Sequence, residues 1–333
     1  MILDGTERWC VSSLGWVEHA SLHVVDTESG QVHQTPLGDA DYVSVHPGTA
    51  DVFSVVHHYR GGNQVRITTH RFEHPELPLA EVTLNGLEEV GPSAFTGGSE
   101  IWKLVRSGYV AFYGASLQTR EYSLIVIDPI RLQARVQRFG WFDHKFDHGY
   151  EAPTDATPVP PAYYGTVPAE TSLYAVAVQR VSKIFLYAPE SDTLYQELEL
   201  AGGRGGHTPI FRKTEPQAWL TDYNILLCLD PRNWTVVNSE PLQGSVNGVG
   251  MFIGDITLTS DESRCIVPRP GSGDVVAVDT STFKVVGRAT LGDQPLEAVA
   301  LRDGRVIARD WKTGKLLRGE LQPSKGDIGS PAG

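Results

Sequence analysis

One short pattern recurs along the chain and constrains its fold more than any other feature. It is an apolar, β-branched run, an Asp, a polar turn and a second apolar run, and it is clearest at residues 275–286. β-Branched residues favour strands, and an Asp at the start of a tight turn can accept hydrogen bonds from the backbone two residues on. Each occurrence therefore predicts a β-hairpin. The predicted hairpins turn at Asp26, Glu73, Asp128, Ala188, Asp230, Asp279 and Asp310.

The spacing of these hairpins distinguishes between two all-β folds. Intervals of roughly 30 to 60 residues match one four-stranded blade of a β-propeller, whereas a sandwich turns about every 8 to 12 residues without self-similarity. The chain is therefore predicted to be an all-β, seven-bladed β-propeller. Because Asp279 and Asp310 are close together, the last blade is expected to be short or closed by an N-terminal strand within residues 2–11.

Two segments of the chain resemble the bacterial propellers that carry a Tyr-Val-Thr-Asn repeat. The first is Ile-Thr-Leu-Thr-Ser-Asp-Glu-Ser-Arg at 256–264, followed by 274–291, and the second is Ala-Val-Ala-Leu-Arg-Asp-Gly-Arg at 298–305. That family is similar in turn to the heavy chains of amine dehydrogenases. The resemblance implies the propeller fold. Its members include redox subunits, lactonases, lyases and scaffolds, so the resemblance carries no catalytic residue across.

Length and composition fit a single closed ring. The chain has 333 residues, with 34 Gly and 21 Pro available for turns, and repeat folds often exceed the usual domain size as single units. One propeller domain is predicted at 1–322, with a flexible C-terminal tail at 323–333. A lid-like insertion loop is predicted at 141–168, because a connection of about 25 residues is long for a compact domain and this one is rich in His, Asp, Tyr and Pro.

Charge, cysteines and missing motifs argue against several classes of protein. A net charge of −12 argues against a nucleic-acid partner. No apolar run could span a bilayer and residues 1–4 do not begin like a signal peptide, so a cytoplasmic protein without a membrane partner is expected. Cys10, Cys228 and Cys265 are too few and too widely spaced for a disulfide framework, so buried free thiols are expected. Motifs for a nucleotide or a covalent haem are missing, so neither cofactor is expected.

One face of the predicted propeller collects polar side chains that could form a site. Loops between the second and third strands of a blade, and crossovers to the next blade, open on this face, where function usually lies. The candidate catalytic residues on these connections are His144, His148, Tyr150 and His207. The candidate substrate-binding residues are His57, His58, Arg60, Arg204 and Asn247. The arginines predict a positive channel mouth that attracts a small anionic molecule.

Three functions fit this set of residues. Histidines beside carboxylates, as in Asp143-His144 and Asp147-His148, suit proton transfer near neutral pH, so a lyase, a lactone hydrolase or an isomerase is one hypothesis. A copper or zinc enzyme is another, with His144, His148 and His207 as ligands, so the expected cofactor is none or one divalent metal. A scaffold for protein interactions without catalysis is the third. Nothing in the sequence indicates an oligomeric state.

Overall fold

The structure, a computed structural model, describes the strands of the chain and many of its turns. The chain divides into two compact units, Met1–Pro209 and Ile210–Gly333, and each is described by itself. The single domain at 1–322 stays a prediction. The described residues are 1–14, 21–36, 42–47, 51–58, 65–84, 102–105, 110–116, 121–128, 133–138, 140–142, 145, 153–168, 170–178, 181–200, 209–242, 253–292, 294–310 and 313–324.

In its described residues, the first unit contains four sheets, each of four antiparallel strands in sequence order. The first sheet comprises β1 (Ile2–Leu3), β2 (Trp9–Leu14), β3 (Ser21–Asp26) and β4 (Val32–Pro36). The second comprises β5 (Tyr42–Pro47), β6 (Val52–His58), β7 (Val65–Arg71) and β8 (Pro78–Leu84). The third comprises β9 (Trp102–Val105), β10 (Val110–Ser116), β11 (Glu121–Asp128) and β12 (Gln133–Arg138). The fourth comprises β13 (Pro153–Pro158), β14 (Tyr174–Val178), β15 (Lys183–Ala188) and β16 (Thr193–Glu199).

The described part of the second unit contains three further sheets. The fifth sheet comprises β17 (Ile210–Phe211), β18 (Ala218–Asp222), β19 (Ile225–Asp230) and β20 (Thr235–Pro241). The sixth comprises β21 (Thr257–Leu258), β22 (Arg264–Arg269), β23 (Asp274–Asp279) and β24 (Val285–Thr290). The seventh comprises β25 (Pro295–Ala300), β26 (Arg305–Asp310) and β27 (Leu316–Glu320). A last strand, β28 (Gln322–Pro323), joins the sixth sheet beside β24.

The described residues contain no α-helix, and the all-β prediction is confirmed. Single turns of 3₁₀ helix occur at Gly140–Phe142, Pro161–Tyr163 and Pro270–Ser272. All strand pairs in the sheets are antiparallel, which is the arrangement that short hairpin connections allow.

The predicted hairpins lie where the Asp-led pattern occurs. Six of the seven connect the third and fourth strands of a sheet. The hairpin at Asp310 instead connects β26 and β27, the second and third strands of the seventh sheet, because that sheet has three strands in the described residues. The described part of this sheet thus has one strand fewer than each of the first five sheets. An N-terminal strand does not complete it in the part of the chain that is described, since β1 and β2 pair within the first sheet.

The Asp side chain organises its turn as predicted. At Asp279, Oδ1 accepts hydrogen bonds from the backbone N–H groups of Ser281 at 3.1 Å and Thr282 at 2.7 Å. The backbone N–H of Phe283 donates to the carbonyl of Asp279 at 2.8 Å, and Phe283 has a φ of 60°. A left-handed residue at this point lets the hairpin close with the twist of its strands. The same side-chain contact and a positive φ four residues later occur at Asp26, Asp230 and Asp310, with Gly30, Trp234 and Gly314.

The predicted flexible tail at 323–333 begins inside a strand. Pro323 of β28 pairs with Gly287 of β24, and the Ser324 N–H donates to the carbonyl of Val286 at 3.3 Å. This pairing is possible because β24 is an outer strand, whose outward-facing backbone groups can pair with an extended segment. Residues 325–333 lie outside the described residues.

Part of the predicted lid at 141–168 belongs to the fourth sheet. Pro153–Pro158 forms β13, the first strand of that sheet, and Pro161–Tyr163 lies in the turn that leads to β14. Prolines suit an irregular loop, but they are also tolerated on an edge strand such as β13. The side chain of Phe142 is fully buried and its ring lies 5.2 Å from that of Tyr187. The rest of the lid, apart from Lys145, lies outside the described residues.

Apolar cores lie between neighbouring sheets within each unit. In the second unit, the ring of Trp219 from the fifth sheet stacks at 4.9 Å on that of Phe283 from the sixth. The three cysteines are buried and form no disulfide, as predicted, and burial raises the pKa of the Cys228 thiol to about 12. The three cysteines are Cys10, Cys228 and Cys265.

Gly254 permits the close approach of the sixth and seventh sheets. A Cβ at this position would lie 2.1 Å from the carbonyl oxygen of Leu296, which accepts a hydrogen bond from Asp255 N–H at 2.8 Å. We expect Gly254→Ala to lower the free energy of unfolding by about 1–3 kcal/mol, because the backbone must move apart. Urea denaturation measures the change. The control is Gly5→Ala, where nothing lies within 4 Å, and equal losses for the two variants would contradict the prediction.

Candidate functional site

Only two of the predicted site residues lie among the described residues. His57 and His58 end strand β6 and pair with Arg66 and Val65 of β7, so both belong to a strand rather than to the loop in which they were predicted. The catalytic, substrate-binding and metal-binding roles of the others stay predictions. The predicted site residues outside the described part are Arg60, His144, His148, Tyr150, Arg204, His207 and Asn247.

The side chain of His57 is buried together with a second histidine. His57 is 3% exposed and its Nε2 lies 3.0 Å from Oγ1 of Thr68. Nε2 of His70 lies 2.7 Å from the same hydroxyl, and the His70 ring stacks on Phe53 with centroids 5.4 Å apart. A hydroxyl can donate to one ring and accept from another. Two imidazoles therefore share one hydroxyl group inside the second sheet.

Burial makes it costly to charge these two rings. The pKa of His57 is lowered from 6.5 to about 4, mainly by desolvation and to a smaller extent by nearby Arg66 and His70, while Glu81 acts in the opposite direction. Burial also lowers the pKa of His70. A ring that is neutral at pH 7 carries no positive charge for an anionic ligand. The His57 side chain therefore packs within the second sheet as a neutral group.

Two buried ion pairs lie in the second unit. Nη2 of Arg309 lies 2.6 Å from Oε1 of Glu297, and the two side chains are 5% and 7% exposed. Nη2 of Arg269 lies 2.5 Å from Oδ2 of Asp274, where the side chains are 9% and 5% exposed. Each pair joins residues opposite each other on adjacent strands. Neither pair was predicted from the sequence, although charged residues inside apolar runs were the available signal.

Glu262 connects turns of two neighbouring sheets. Its carboxylate accepts hydrogen bonds from the Lys213 N–H at 2.9 Å, the Thr214 N–H at 3.0 Å and the Thr214 hydroxyl at 2.7 Å. Burial acts against the charged form, but these hydrogen bonds outweigh it and hold the pKa of the carboxyl below its usual value. The Thr280 hydroxyl donates to the Glu262 carbonyl at 2.8 Å. Glu262 is therefore a structural carboxylate.

Exposed apolar side chains lie on the outer strands, meaning the fourth strand of each sheet. In the described part, every large apolar side chain that is exposed lies on such a strand or just before it. Three of them occupy a β-bulge, an extra residue on the outer strand: Leu79 in β8, Tyr195 in β16 and Val237 in β20. The exposed fractions are 43% for Val32, 64% for Leu77, 53% for Leu79, 38% for Tyr195, 43% for Val236 and 50% for Val237.

The described residues offer no metal site. Within them, no group of three or more His, Cys, Asp or Glu side chains is arranged to hold a metal ion. The predicted ligands His144, His148 and His207 are outside this part of the chain, so the metal hypothesis stays a prediction. None of the helices in the described residues is long and apolar enough to cross a membrane.

The comparisons with known proteins found similarity in structure but none in sequence. No protein-family model matches the chain, and no curated protein matches its sequence. The β-propeller domain of Cps50 (Swd1) from Myceliophteria thermophila is similar in structure, with a TM-score of 0.59 and 8% identity over 96% of this chain and 95% of that chain.

Two further solved structures are similar to the chain. A structure of the mitotic checkpoint complex has a TM-score of 0.59 and 9% identity over 96% of this chain and 85% of that chain. A protein of unknown function from Bacteroides caccae has a TM-score of 0.53 and 12% identity over 84% and 91%. At such identities the likeness shows the fold alone. The chain therefore has the β-propeller fold that the hairpin repeat predicts, and its resemblance to the Tyr-Val-Thr-Asn propellers holds at the level of that fold.

Proposed function

We propose that the protein is an interaction scaffold, a β-propeller that binds other proteins and catalyses no reaction. The observation that carries this proposal is the set of exposed apolar side chains on the outer strands of the first, second, fourth and fifth sheets. Neighbouring apolar side chains at a surface are typical of protein-binding sites, whereas single ones are ordinary. Leu77 with Leu79, and Val236 with Val237, are such neighbours, and each is at least 43% exposed.

The similar solved structures are compatible with this proposal. One of them is, by its title, a structure of a complex, and another is a propeller domain. Both cover 96% of this chain, which supports the further proposal that the seven sheets form one closed ring of seven blades in a single domain. A closed ring leaves only the outer edge of each blade open to another chain.

The enzyme hypothesis stays a prediction beside this proposal. It requires proton transfer on a small anionic molecule by His144, His148, Tyr150 and His207. The predicted residue with a described side chain, His57, is buried against Thr68 and has a lowered pKa, which favours a structural role. The scaffold proposal accounts for more of the described surface.

Affinity purification from cells of the source organism, after chemical cross-linking, tests the scaffold proposal. The triple variant Leu79→Ser, Tyr195→Ser and Val237→Ser is expected to recover its partner proteins at least about tenfold less than the wild type, because apolar anchors dominate interface energies. The control is the double variant Gln196→Ser and Asn238→Ser, which changes the next residue on two of the same strands. Full recovery by the triple variant, with unchanged thermal stability, would contradict the proposal.

A further inference from the structure

The outer strands β20 and β24 are equivalent in sequence and geometry. Counted from Asp230 and Asp279, which open their hairpins, Val236-Val237-Asn238 corresponds to Val285-Val286-Gly287. Both strands also carry the same bulge. Cys228 pairs with Asn238 and Leu229 with Val236, and likewise Ala277 pairs with Gly287 and Val278 with Val285. The extra residue is Val237 in one strand and Val286 in the other.

The edge of β24 is covered by the end of the same chain. Pro323 and Gln322 of β28 pair with Gly287 and Arg288. A Cβ at Gly287 would lie 3.4 Å from Cβ of Leu321, so the leucine packs directly on the strand. Val286 and Leu321 both pack against the apolar core of the sixth and seventh sheets. Strand β28 is thus an example, within this chain, of an extended segment that binds the edge of an outer strand.

The equivalent edge of β20 is exposed. Val236 and Val237 are 43% and 50% exposed, whereas Val285 and Val286 are only partly exposed. An outer strand also presents backbone N–H and C=O groups that an added strand can pair with. The Val-Val pair is therefore covered in the sixth sheet and exposed in the fifth sheet, although both pairs lie in the same kind of bulge.

We infer that the outer edge of β20, residues 235–241, binds an extended segment of a partner protein, which adds a strand as β28 does to β24. This inference rests on the proposed scaffold function and assigns a site to it. The segment carries a leucine or a similar apolar side chain against Val236 and Val237. On β24 the corresponding leucine, Leu321, stands between Glu320 and Gln322, and Gln322 pairs with Arg288.

The occupant is a segment of another protein rather than of this chain. Residues 321–324 are engaged with β24 in each copy, so a second copy has no equivalent segment to offer. The two edges also differ in one side chain, because Asn238 stands where β24 has Gly287. The Asn238 side chain takes up the space on β20 that corresponds to the place of Leu321 over Gly287 on β24. The leucine of a partner segment is therefore expected to pack against Val236 and Val237 rather than over Asn238.

A synthetic peptide tests the inference on the full-length protein. The probe is Arg-Gly-Glu-Leu-Gln-Pro-Ser-Lys, the sequence of residues 318–325, with a fluorescent label at its N-terminus, and its serine-for-leucine version. Fluorescence anisotropy is expected to show saturable binding of the first peptide and at least about tenfold weaker binding of the second, because the leucine is the apolar anchor. If the first peptide shows no saturable binding at concentrations up to about 1 mM, the level of a weak affinity, the inference is overturned.

Two variants locate the binding edge. Val237→Glu is expected to weaken binding at least about tenfold, because it places a charge in the apolar contact. Val32→Glu is the matched control, since Val32 is 43% exposed on β4, the outer strand of a different sheet, and it is expected to bind within about twofold of the wild type. Equal binding by the two variants overturns the inference.

Photo-cross-linking completes the design and separates the two levels of the proposal. A benzophenone residue in place of the peptide's leucine is expected to label residues 235–241. Labelling of residues 285–290 alone means displacement of β28 and overturns the inference. A dimer in light scattering that Val237→Glu dissociates also overturns it, because the occupant is then a second copy. If the peptide fails while affinity purification still recovers partners, the site is wrong and the scaffold function stands.

Discussion

Arg309→Ala is expected to lower the free energy of unfolding by about 3–5 kcal/mol. The substitution removes the guanidinium that lies 2.6 Å from Oε1 of Glu297, in a pair whose side chains are 5% and 7% exposed. A buried carboxylate that loses its paired charge keeps the desolvation cost of burial without the attraction that offset it. Urea denaturation of the wild type and the variant measures the loss.

The same strand provides a matched control for this prediction. Arg305 also lies on β26 and pairs with Asp303 at 2.7 Å, but those side chains are 47% and 52% exposed. Exposed ion pairs contribute about 0–1 kcal/mol, so Arg305→Ala is expected to cost no more than that. Equal losses for the two arginine variants would show that burial does not govern the stability of this strand.

A double variant distinguishes lost charge from lost packing. Replacement of both partners, Glu297→Leu with Arg309→Met, is expected to recover most of the stability, because apolar side chains of similar volume often substitute for a buried ion pair without loss. The two residues lie opposite each other on β25 and β26, so the apolar side chains can contact each other. Recovery of partner proteins should be unchanged, since the scaffold proposal places the binding residues on outer strands.

Local chemistry explains which parts of the fold could be predicted from the sequence. The Asp279 turn forms from contacts within four residues, and so do the turns at Asp26, Asp230 and Asp310. Pairing between distant segments could not be predicted in this way. Strand β28 pairs with β24 after the whole seventh sheet has intervened, and nothing in Leu-Gln-Pro-Ser itself indicates a partner.

The position of His57 in a strand could not be predicted for a similar reason. The run His-His-Tyr-Arg-Gly-Gly at 57–62 is polar and Gly-rich, which is typical of a loop. The alternation of Phe53, Val55 and His57 nevertheless continues the buried face of β6, and side chains two apart on a strand share a face. The second histidine and the shared hydroxyl are on β7, so the buried cluster appears only when the strands are paired.

The exposure of the valines of β20 could not be predicted from the sequence either. The Val-Val pair reads as part of an apolar strand in both β20 and β24, and sequence alone gives both the same burial. The two Val-Val pairs differ in exposure because β28 covers the edge of β24, whereas no described strand pairs with the edge of β20. The difference in exposure between two copies of one repeat thus points to a binding surface that the residues alone do not indicate.

Acidification is expected to destabilise the protein through the buried histidines of the second sheet. The pKa of His57 is lowered from 6.5 to about 4, mainly by burial, so the folded protein keeps the ring neutral while the unfolded chain takes up a proton. The free energy of unfolding keeps its full value, as far as this ring is concerned, above about pH 6.5, and it decreases as the pH falls from there toward 4. His70, whose pKa burial also lowers, acts in the same direction.

The pH window separates this effect from that of the carboxylates. Asp261 accepts hydrogen bonds from the Thr259 hydroxyl and the Ser263 N–H, which lower its pKa to about 2. A carboxylate of this kind stabilises the folded state above its unfolded pKa of 3.8, and the contribution is lost as the pH falls toward 2. Measurements between pH 7 and pH 4 therefore report mainly on the histidines.

His57→Gln is the variant that tests the histidine effect, because glutamine does not titrate and its amide can reach the Thr68 hydroxyl. Between pH 7 and pH 4, the free energy of unfolding of the wild type is expected to fall by about 3 kcal/mol more than that of His57→Gln, at about 1.4 kcal/mol for each pKa unit. Urea denaturation at each pH measures the difference. His74→Gln is the control, since the His74 side chain is 67% exposed near the start of β8, and it should follow the wild type. If His57→Gln and the wild type lose stability in parallel over this range, the buried cluster does not control the response to acid.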